Sequence, residues 1–359
     1  MPPDLDLRHL GIDYIGSFLE IRSIRIEQLP TALTIENDKM HELPGQRRFI
    51  LDQSIYQGAH GVVESVFVEE LDNSNSNSNS NNGNNSNNSN SSNSNKEVLF
   101  RKVPIDGNSL ECEALFQYAA YYVLKKYGLK HSVARVRDIY RDPRVGNAAV
   151  FTMVPFFDIE LLSDALENTD FSEHDIVSII GQIALIIYIL DEELDMNHRD
   201  LKTTNVLISA ASAEVAPIKF KDMDITISGS LTVKLVDFGF ACAGNGRRTL
   251  VNAGNFFPMS DPCPKTGRDL FQLLTTMYLC TRFQKLVDNS ERLSSLFSKW
   301  LTIPNNDYIS FLKTIGTQSI DWVYLMLSSD KFFAPSCCPR QILTDIDQLF
   351  PEVVSITCN

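Results

Sequence analysis

The stretch that decides the fold reads His198-Arg199-Asp200-Leu201-Lys202-Thr203-Thr204-Asn205. It places a cation two residues after a carboxylate and an amide five residues after it. Six positions match the pattern His-Arg-Asp-Leu-Lys-x-x-Asn, which at about 5% per residue type arises by chance in roughly one such chain in 100,000. These groups suit phosphoryl transfer, which needs a base for the acceptor hydroxyl and partners for phosphate charge.

Two further motifs flank this stretch. Asp237-Phe238-Gly239 follows an apolar run that predicts a strand over 233–236, and a carboxylate at the end of a strand can face a metal ion. On the N-terminal side, the run 98–103 predicts another strand, and this strand carries Lys102. The chain therefore offers, in order, a cation, a candidate base and a candidate metal ligand.

A weaker motif lies upstream, in the run Ile55-Tyr56-Gln57-Gly58-Ala59-His60-Gly61-Val62-Val63. Gly58 and Gly61 allow backbone N–H groups to approach phosphates. Tyr56 stands where the G-x-G-x-x-G-x-V pattern has its first glycine. Taken alone, the run is more typical of an ordinary hairpin turn.

With these motifs in this order, the chain resembles the eukaryotic-type protein kinases, specifically the serine/threonine-directed members, over about residues 48–350. The resemblance implies that Asp200 accepts the proton of the substrate hydroxyl and that Lys202 contacts the transferred phosphate. It implies that Asn205 and Asp237 bind Mg²⁺, and that the substrates are ATP and a protein with a serine or threonine hydroxyl. A lysine at position 202 is what serine/threonine-directed members carry.

The resemblance also gives Lys102 a role. Lys102 would pair with the α- and β-phosphates of ATP and with a carboxylate on the next helix, for which Glu111 and Glu113 both qualify. Asn108 is a good N-cap, which would place Glu111 at the third helical position as a capping-box residue. Glu113 would then be available for the ion pair, and we predict it as the partner.

The resemblance further predicts the residues of the nucleotide pocket. Met153 would lie at the back of the adenine pocket, and 154–157 would connect the two lobes. The predicted lining residues are Ile55, Tyr56, Gly58, Gly61, Val63, Lys102, Met153, Val154 and Phe156.

Some of the sequence departs from the family pattern. The region 254–262 contains no Ala-Pro-Glu triplet. This absence and Tyr56 favour an alternative, a pseudokinase or scaffold that binds nucleotide but transfers little phosphate. A small-molecule kinase of the aminoglycoside-phosphotransferase type is a second alternative. Asp269 sits where the family has a buried aspartate that supports the catalytic loop, although a helix N-cap or a solvated charge would also explain it.

The order of elements, strands first and helices after, predicts an α+β fold with a small β-rich N-lobe and a larger, mainly helical C-lobe. Apolar periodicity predicts helices over 109–127 and 173–194, the second with Ser172 and Asp175 as a capping pair. The apolar segment 176–190 is too short and too polar for a membrane span, so we expect a buried core helix. The predicted parts are an extension at 1–47, the N-lobe at 48–154, the C-lobe at 155–350 and a tail at 351–359.

Two insertions interrupt this pattern. The tract 73–95 is almost purely Asn and Ser, so it cannot bury apolar surface and is expected to be disordered. The strands predicted at 62–68 and 98–103 should still pair around it as a hairpin. Residues 210–231 are more than a simple turn needs and predict an inserted loop or hairpin.

The composition of the chain limits which binding partners and which cellular compartment we expect. Lys and Arg number 32 against 45 Asp and Glu, a formal net charge of −13. Such a surface repels phosphate backbones and anionic membranes, so we expect neither nucleic acid nor a membrane as partner. The seven cysteines form no CxxC pair and no zinc spacing. This pattern, with no visible signal peptide, predicts reduced thiols in an intracellular protein, cytoplasmic or nuclear.

Overall fold

Strands dominate the N-terminal part of the chain, where β-branched and aromatic residues are frequent. The computed structural model describes residues 32–36, 39–42, 47–57, 61–70, 97–105, 110–146, 148–211, 217–243, 251–252, 263–302, 308–315 and 334–358. Within them the chain is an α+β protein, as predicted, and it divides into two compact units. The first unit holds the described residues within Leu29–Ser109 and Val136–Pro155, and the second those within Leu110–Arg135 and Phe156–Asn359.

The first unit is built on one antiparallel sheet with the strand order β2-β1-β6-β7-β5-β4-β3. Its strands are β1 (Ala32–Glu36), β2 (Lys39–Glu42), β3 (Arg47–Gln57), β4 (Gly61–Glu70), β5 (Glu97–Pro104), β6 (Val136–Asp142) and β7 (Ala148–Met153). β4 and β5 pair from Gly61 opposite Pro104 to Val68 opposite Glu97. The predicted hairpin is confirmed, and the Asn/Ser tract lies outside the described residues. Strands β1 and β2 show that the extension at 1–47 contributes to the sheet.

A buried ionic chain crosses this sheet. Arg101 on β5 binds Glu64 on β4, and its Nη1 lies 3.2 Å from Oδ2 of Asp142 on β6. Arg144 in turn donates to Asp142 at 2.6 Å, and this hydrogen bond is the main cause that lowers the pKa of Asp142. Three strands are therefore held in register on the face opposite Lys102.

The second unit contains all the described α-helices. They are α1 (Glu111–Lys126), α2 (Leu162–Asn168), α3 (Glu173–Leu194), α4 (Arg268–Tyr278), α5 (Thr281–Asn289), α6 (Glu291–Trp300), α7 (Tyr308–Ile315) and α8 (Pro339–Leu349). Its strands are β8 (Glu160–Leu161), β9 (Met196–Asn197), β10 (Val206–Ala210), β11 (Ile218–Phe220), β12 (Met223–Ile227), β13 (Leu231–Leu235), β14 (Cys242–Ala243), β15 (Val251–Asn252) and β16 (Val354–Cys358). They form three small sheets, ordered β13-β10-β8, β11-β12-β16 and β15-β14-β9.

Helix α3 is the central helix of the second unit. The Ser172 hydroxyl accepts from Asp175 N and the Asp175 carboxylate accepts from Ser172 N, so the predicted capping box is confirmed. Among the described helices, α3 alone is long and apolar enough to cross a membrane, and 78% of its most apolar window is buried inside the structure. The predicted core helix is therefore confirmed.

The insertion at 210–231 explains how α3 can be apolar on every side. Its described part forms the hairpin β11–β12, and β16 from the predicted tail adds a third strand. Phe220 of this sheet packs edge-on against Tyr188 of α3, with ring centroids 5.0 Å apart. The insertion and the C-terminal strand thus cover apolar surface that would otherwise face water.

Helix α1 belongs to the second unit, although the predicted N-lobe at 48–154 includes it. Its buried side chains Phe116, Ala120, Val123 and Leu124 join the second unit's core. The helix begins at Glu111 after Leu110, without a side-chain cap. The predicted capping-box position of Glu111 is wrong because Glu111 is the first helical residue and not the third. Asn108 lies outside the described residues.

The predicted reduced state of the cysteines is wrong for one pair. Cys242 and Cys263 form a disulfide with their Cα atoms 6.4 Å apart, and the other five cysteines are free. The sequence separation of 21 residues matches no cysteine motif, so only the fold reveals the pairing.

Candidate active site

The motif 198–205 forms the loop between β9 and β10, and its own side chains organise it. Asn205 Nδ2 donates to the backbone O of Asp200 and to its Oδ2, both at 2.8 Å. Lys202 Nζ lies 3.1 Å from the other carboxylate oxygen, Oδ1. A 3₁₀ turn over Thr203–Asn205 brings these residues together. The Asp200 carboxylate is therefore held in one orientation between an amide and a cation.

Helix α4 holds this loop from behind. The two carboxylate oxygens of Asp269 accept hydrogen bonds from His198 N and Arg199 N, each at 2.8 Å. Two turns further along, Thr276 Oγ1 accepts from Thr203 N at 3.3 Å. Arg199 has a φ of 64°, which is costly for a residue with a side chain. The charge-assisted bonds to Asp269 offset that cost.

Asp237-Phe238-Gly239 lies beside the loop, as its position after β13 predicts. His198 Nε2 lies 3.1 Å from the Val236 carbonyl oxygen, and the His198 and Phe238 ring centroids are 4.8 Å apart. Val236 N donates to Asn205 O at 3.1 Å. Asp237, like Arg199, is one of five described non-glycine residues with a positive φ, and its value is 65°. Strained backbone of this kind clusters at functional sites.

Glu113 of α1 lies next to this motif. A Cβ added at Gly239 would be 3.1 Å from Oδ1 of Asp237 and 3.4 Å from Oε2 of Glu113. A side chain at position 239 would therefore crowd both carboxylates. Both Glu111 and Glu113 are buried. Lys102 belongs to the first unit, so its pairing with either glutamate stays a prediction.

Asn205 and Asp237 are a suitable donor set for Mg²⁺. Magnesium prefers oxygen ligands and takes few of them from protein, with water and phosphates supplying the rest. Asn205 commits Nδ2 to Asp200, and no described residue donates to its Oδ1. The described residues contain no group of three or more His, Cys, Asp or Glu side chains arranged for a metal. Magnesium binding at this pair stays a prediction.

Several predicted nucleotide-binding residues share one face of the sheet in the first unit. Tyr56 is opposite Val63, Val63 is opposite Lys102, and Met153 follows one pleat further along on the same face. A Cβ at Gly61 would be 3.0 Å from the Val103 carbonyl oxygen, so this position requires a small residue.

The remaining predicted lining residues are placed differently. Ile55, Tyr56 and Val154 are exposed. Gly58 lies outside the described residues. Phe156 belongs to the second unit, where its ring centroid lies 5.5 Å from Lys234 Nζ.

Two further residues near the candidate site, Lys234 and Thr276, belong to none of the sequence motifs. Lys234 on β13 is buried, donates to Thr232 Oγ1 at 3.3 Å and to Ser209 Oγ, and has its pKa lowered by desolvation. A lysine within an apolar strand is the signal that could have drawn attention to it. Thr276 carries no local signal, because its partner in the loop is 73 residues away.

Comparisons with known proteins add no family to this description. Neither the protein-family models nor the curated proteins compared with the sequence gave a match. What the structure brings together in the second unit is Asp200, Lys202, Asn205, Asp237 and Glu113, held in part by Asp269.

Proposed function

We propose that the chain is an ATP-dependent serine/threonine protein kinase with Asp200 as its catalytic base. One observation carries the proposal. The buried Asp200 carboxylate is fixed between Asn205 Nδ2 and Lys202 Nζ, in a loop packed against Asp237-Phe238-Gly239. A base, a cation and two oxygen ligands in this arrangement are what phosphoryl transfer requires.

Each residue of the site would have its own role in phosphoryl transfer. The Asp200 carboxylate accepts the proton of the acceptor hydroxyl as that oxygen attacks the terminal phosphoryl group. Asn205 holds the carboxylate in place, and Lys202 stabilises negative charge on the transferred group. Asp237 and Asn205 Oδ1, to which no described residue donates, would hold Mg²⁺, and the metal would supply neutralisation of phosphate charge. Lys102 contacts the α- and β-phosphates.

A nucleotide-binding scaffold is the second candidate, favoured by Tyr56. This side chain is 55% exposed at the position where a glycine-rich loop has its first glycine. A tyrosine there changes how closely the strand end can approach a phosphate. Such a protein would bind ATP and transfer little of its phosphate.

The deciding experiment incubates the full chain with Mg²⁺, γ-labelled ATP and a mixed protein substrate, beside an Asp200→Asn variant. We expect phosphoserine or phosphothreonine in the product, and a transfer rate at least 100-fold lower in the variant, since general-base catalysis contributes about 10²–10⁴-fold. Phosphoamino-acid analysis identifies the acceptor hydroxyl.

An Asp288→Asn variant is the control, because Asp288 is an exposed residue that forms a salt bridge with Lys313 on the surface. It should transfer phosphate at the wild-type rate. Equal and negligible transfer by the wild type and Asp200→Asn would exclude the kinase, and retained ATP binding would then favour the scaffold.

A further inference from the structure

The Cys242–Cys263 disulfide joins two segments that both bind the residues just before the catalytic loop. Cys242 on β14 pairs with Asn197 on β9. Cys263 Sγ lies 3.9 Å from the Asp195 carbonyl oxygen, and Lys265 N donates to Asn197 Oδ1 at 2.6 Å. The cross-link therefore connects the two segments that contact 195–197, and His198 follows this stretch directly.

Both cross-linked segments, the one with Cys242 and the one with Cys263, lead into the candidate active site. Cys242 lies five residues after Asp237, and Ala241 N donates to Phe238 O at 3.0 Å. Cys263 precedes α4, whose Asp269 accepts the hydrogen bonds from His198 N and Arg199 N. A change in the cross-link can therefore reach the catalytic loop along two short chain segments, one leading to Phe238, which packs against His198, and the other to Asp269, which accepts hydrogen bonds from the loop.

We propose that Cys242 and Cys263 form a reversible thiol–disulfide site whose oxidation state controls how firmly the catalytic loop is held. The sequence predicts an intracellular protein, and disulfides within reducing compartments are usually transient, catalytic or redox-sensing. The pairing is also selective, because the other five cysteines, including the adjacent Cys337 and Cys338, are free. Burial raises the pKa of the Cys280 and Cys337 thiols, which leaves them little reactive thiolate.

The chemistry needs one dithiol, either a small molecule or a dithiol reductase. Its thiolate attacks Cys263 Sγ, because Cys263 is 6% exposed and Cys242 is fully buried. A mixed disulfide forms, and Cys242 leaves as a thiolate and takes up a proton. The second thiol of the reductant then displaces Cys263 as a thiol and leaves the reductant as a disulfide. A disulfide oxidant reverses both steps.

The direction of the effect follows from the oxidised structure. In this form Asp200, Asn205 and Asp269 are in place. Within the part of the chain that the structure describes, reduction leaves 242–243 and 263–265 connected through their separate hydrogen bonds to 195–197, and the loop loses a covalent constraint. We expect faster amide hydrogen exchange at 195–200 and phosphate transfer at least fivefold slower in the reduced protein.

The test equilibrates the full chain with mixtures of reduced and oxidised dithiothreitol. Alkylation and mass spectrometry locate the free thiols, hydrogen exchange is followed at 195–200, and transfer from ATP is measured on the same samples. Wild type and the control Cys358→Ser, which removes an exposed free thiol, should show one two-thiol transition that coincides with both changes. The variant Cys242→Ser/Cys263→Ser should behave as reduced protein throughout.

Two results would overturn the proposal. One is that Cys242 and Cys263 stay reduced in fully oxidised dithiothreitol. The other is reduction that leaves hydrogen exchange at 195–200 unchanged or, where the oxidised protein transfers phosphate, leaves that transfer equally fast or makes it faster. The exchange measurement needs no ATP, so it decides the matter even if the proposed kinase activity fails. The wild-type titration also needs no variant to fold.

Discussion

The proposed catalytic loop at 198–205 and the edge strand at 51–57 both belong to the predicted active site, but the loop is mostly buried and the strand is exposed. In the loop, six of eight residues are buried, and backbone N–H groups at both ends are held by α4. In the strand, every residue is exposed, and its pairing with β4 is irregular at two places. The sequence matches the expected motif closely in the loop, where residues are buried and hydrogen-bonded. It matches less closely in the strand, where the side chains face water.

This contrast predicts where substitutions will matter most. Asp269→Asn should cost about 3 kcal/mol of unfolding free energy, because one charge-assisted acceptor for His198 N or Arg199 N is replaced by an amide. Urea denaturation measures the loss, and phosphate transfer should fall at the same time. A loss below about 0.5 kcal/mol would mean that the loop does not depend on α4.

Asp191 is a titratable residue whose pKa depends on its burial and on the charge of Asp269. Desolvation first, and then the charge of Asp269, raise the pKa of Asp191 to about 7. The folded state thus binds a proton that the unfolded state releases near pH 4, so this residue lowers stability as pH rises from about 4 to 7. Asp191→Asn should abolish that fall and stabilise the protein at pH 8 by about 2 kcal/mol. Unfolding curves at pH 5 and pH 8 check it, and a parallel pH dependence in both proteins would contradict it.

Thr276→Val removes the hydroxyl that accepts from Thr203 N while keeping the side-chain shape. We expect a loss of about 1 kcal/mol and a decrease in kcat with little change in KM, since the loop holds the base. Thr276→Ser restores the hydroxyl and should recover both quantities. A Thr276→Val variant with wild-type stability and kcat would contradict a role for the hydroxyl, and failure of serine to rescue would show that the methyl group, which valine keeps, is needed as well.

Tyr56→Ser should have the smallest effect on stability, within about 0.5 kcal/mol, because Tyr56 is exposed on the edge strand β3. Any functional change should appear in KM for ATP rather than in kcat. A destabilisation above about 1 kcal/mol would show that this strand is packed more firmly than its exposure indicates, and would remove the contrast with the catalytic loop.

Local sequence predicted the elements well where neighbouring residues carry the signal. The capping box at Ser172 and Asp175, the strands around the Asn/Ser tract and the core helix all depend on residues within a few positions of each other. The start of α1 was predicted less well. Asn108 predicts an N-cap two residues too early, because the helix begins after Leu110 and Glu111 is its first residue and not its third.

The sequence by itself determined the identity and spacing of Asp200, Lys202 and Asn205, because one 3₁₀ turn is enough to bring such close neighbours together. Only the tertiary structure decided what holds them. The hydrogen bonds that Asp269 accepts from the loop span about 70 residues of sequence, and the disulfide spans 21. Contacts over such separations leave no periodic pattern in the sequence, since they depend on how helices and strands pack once each has formed.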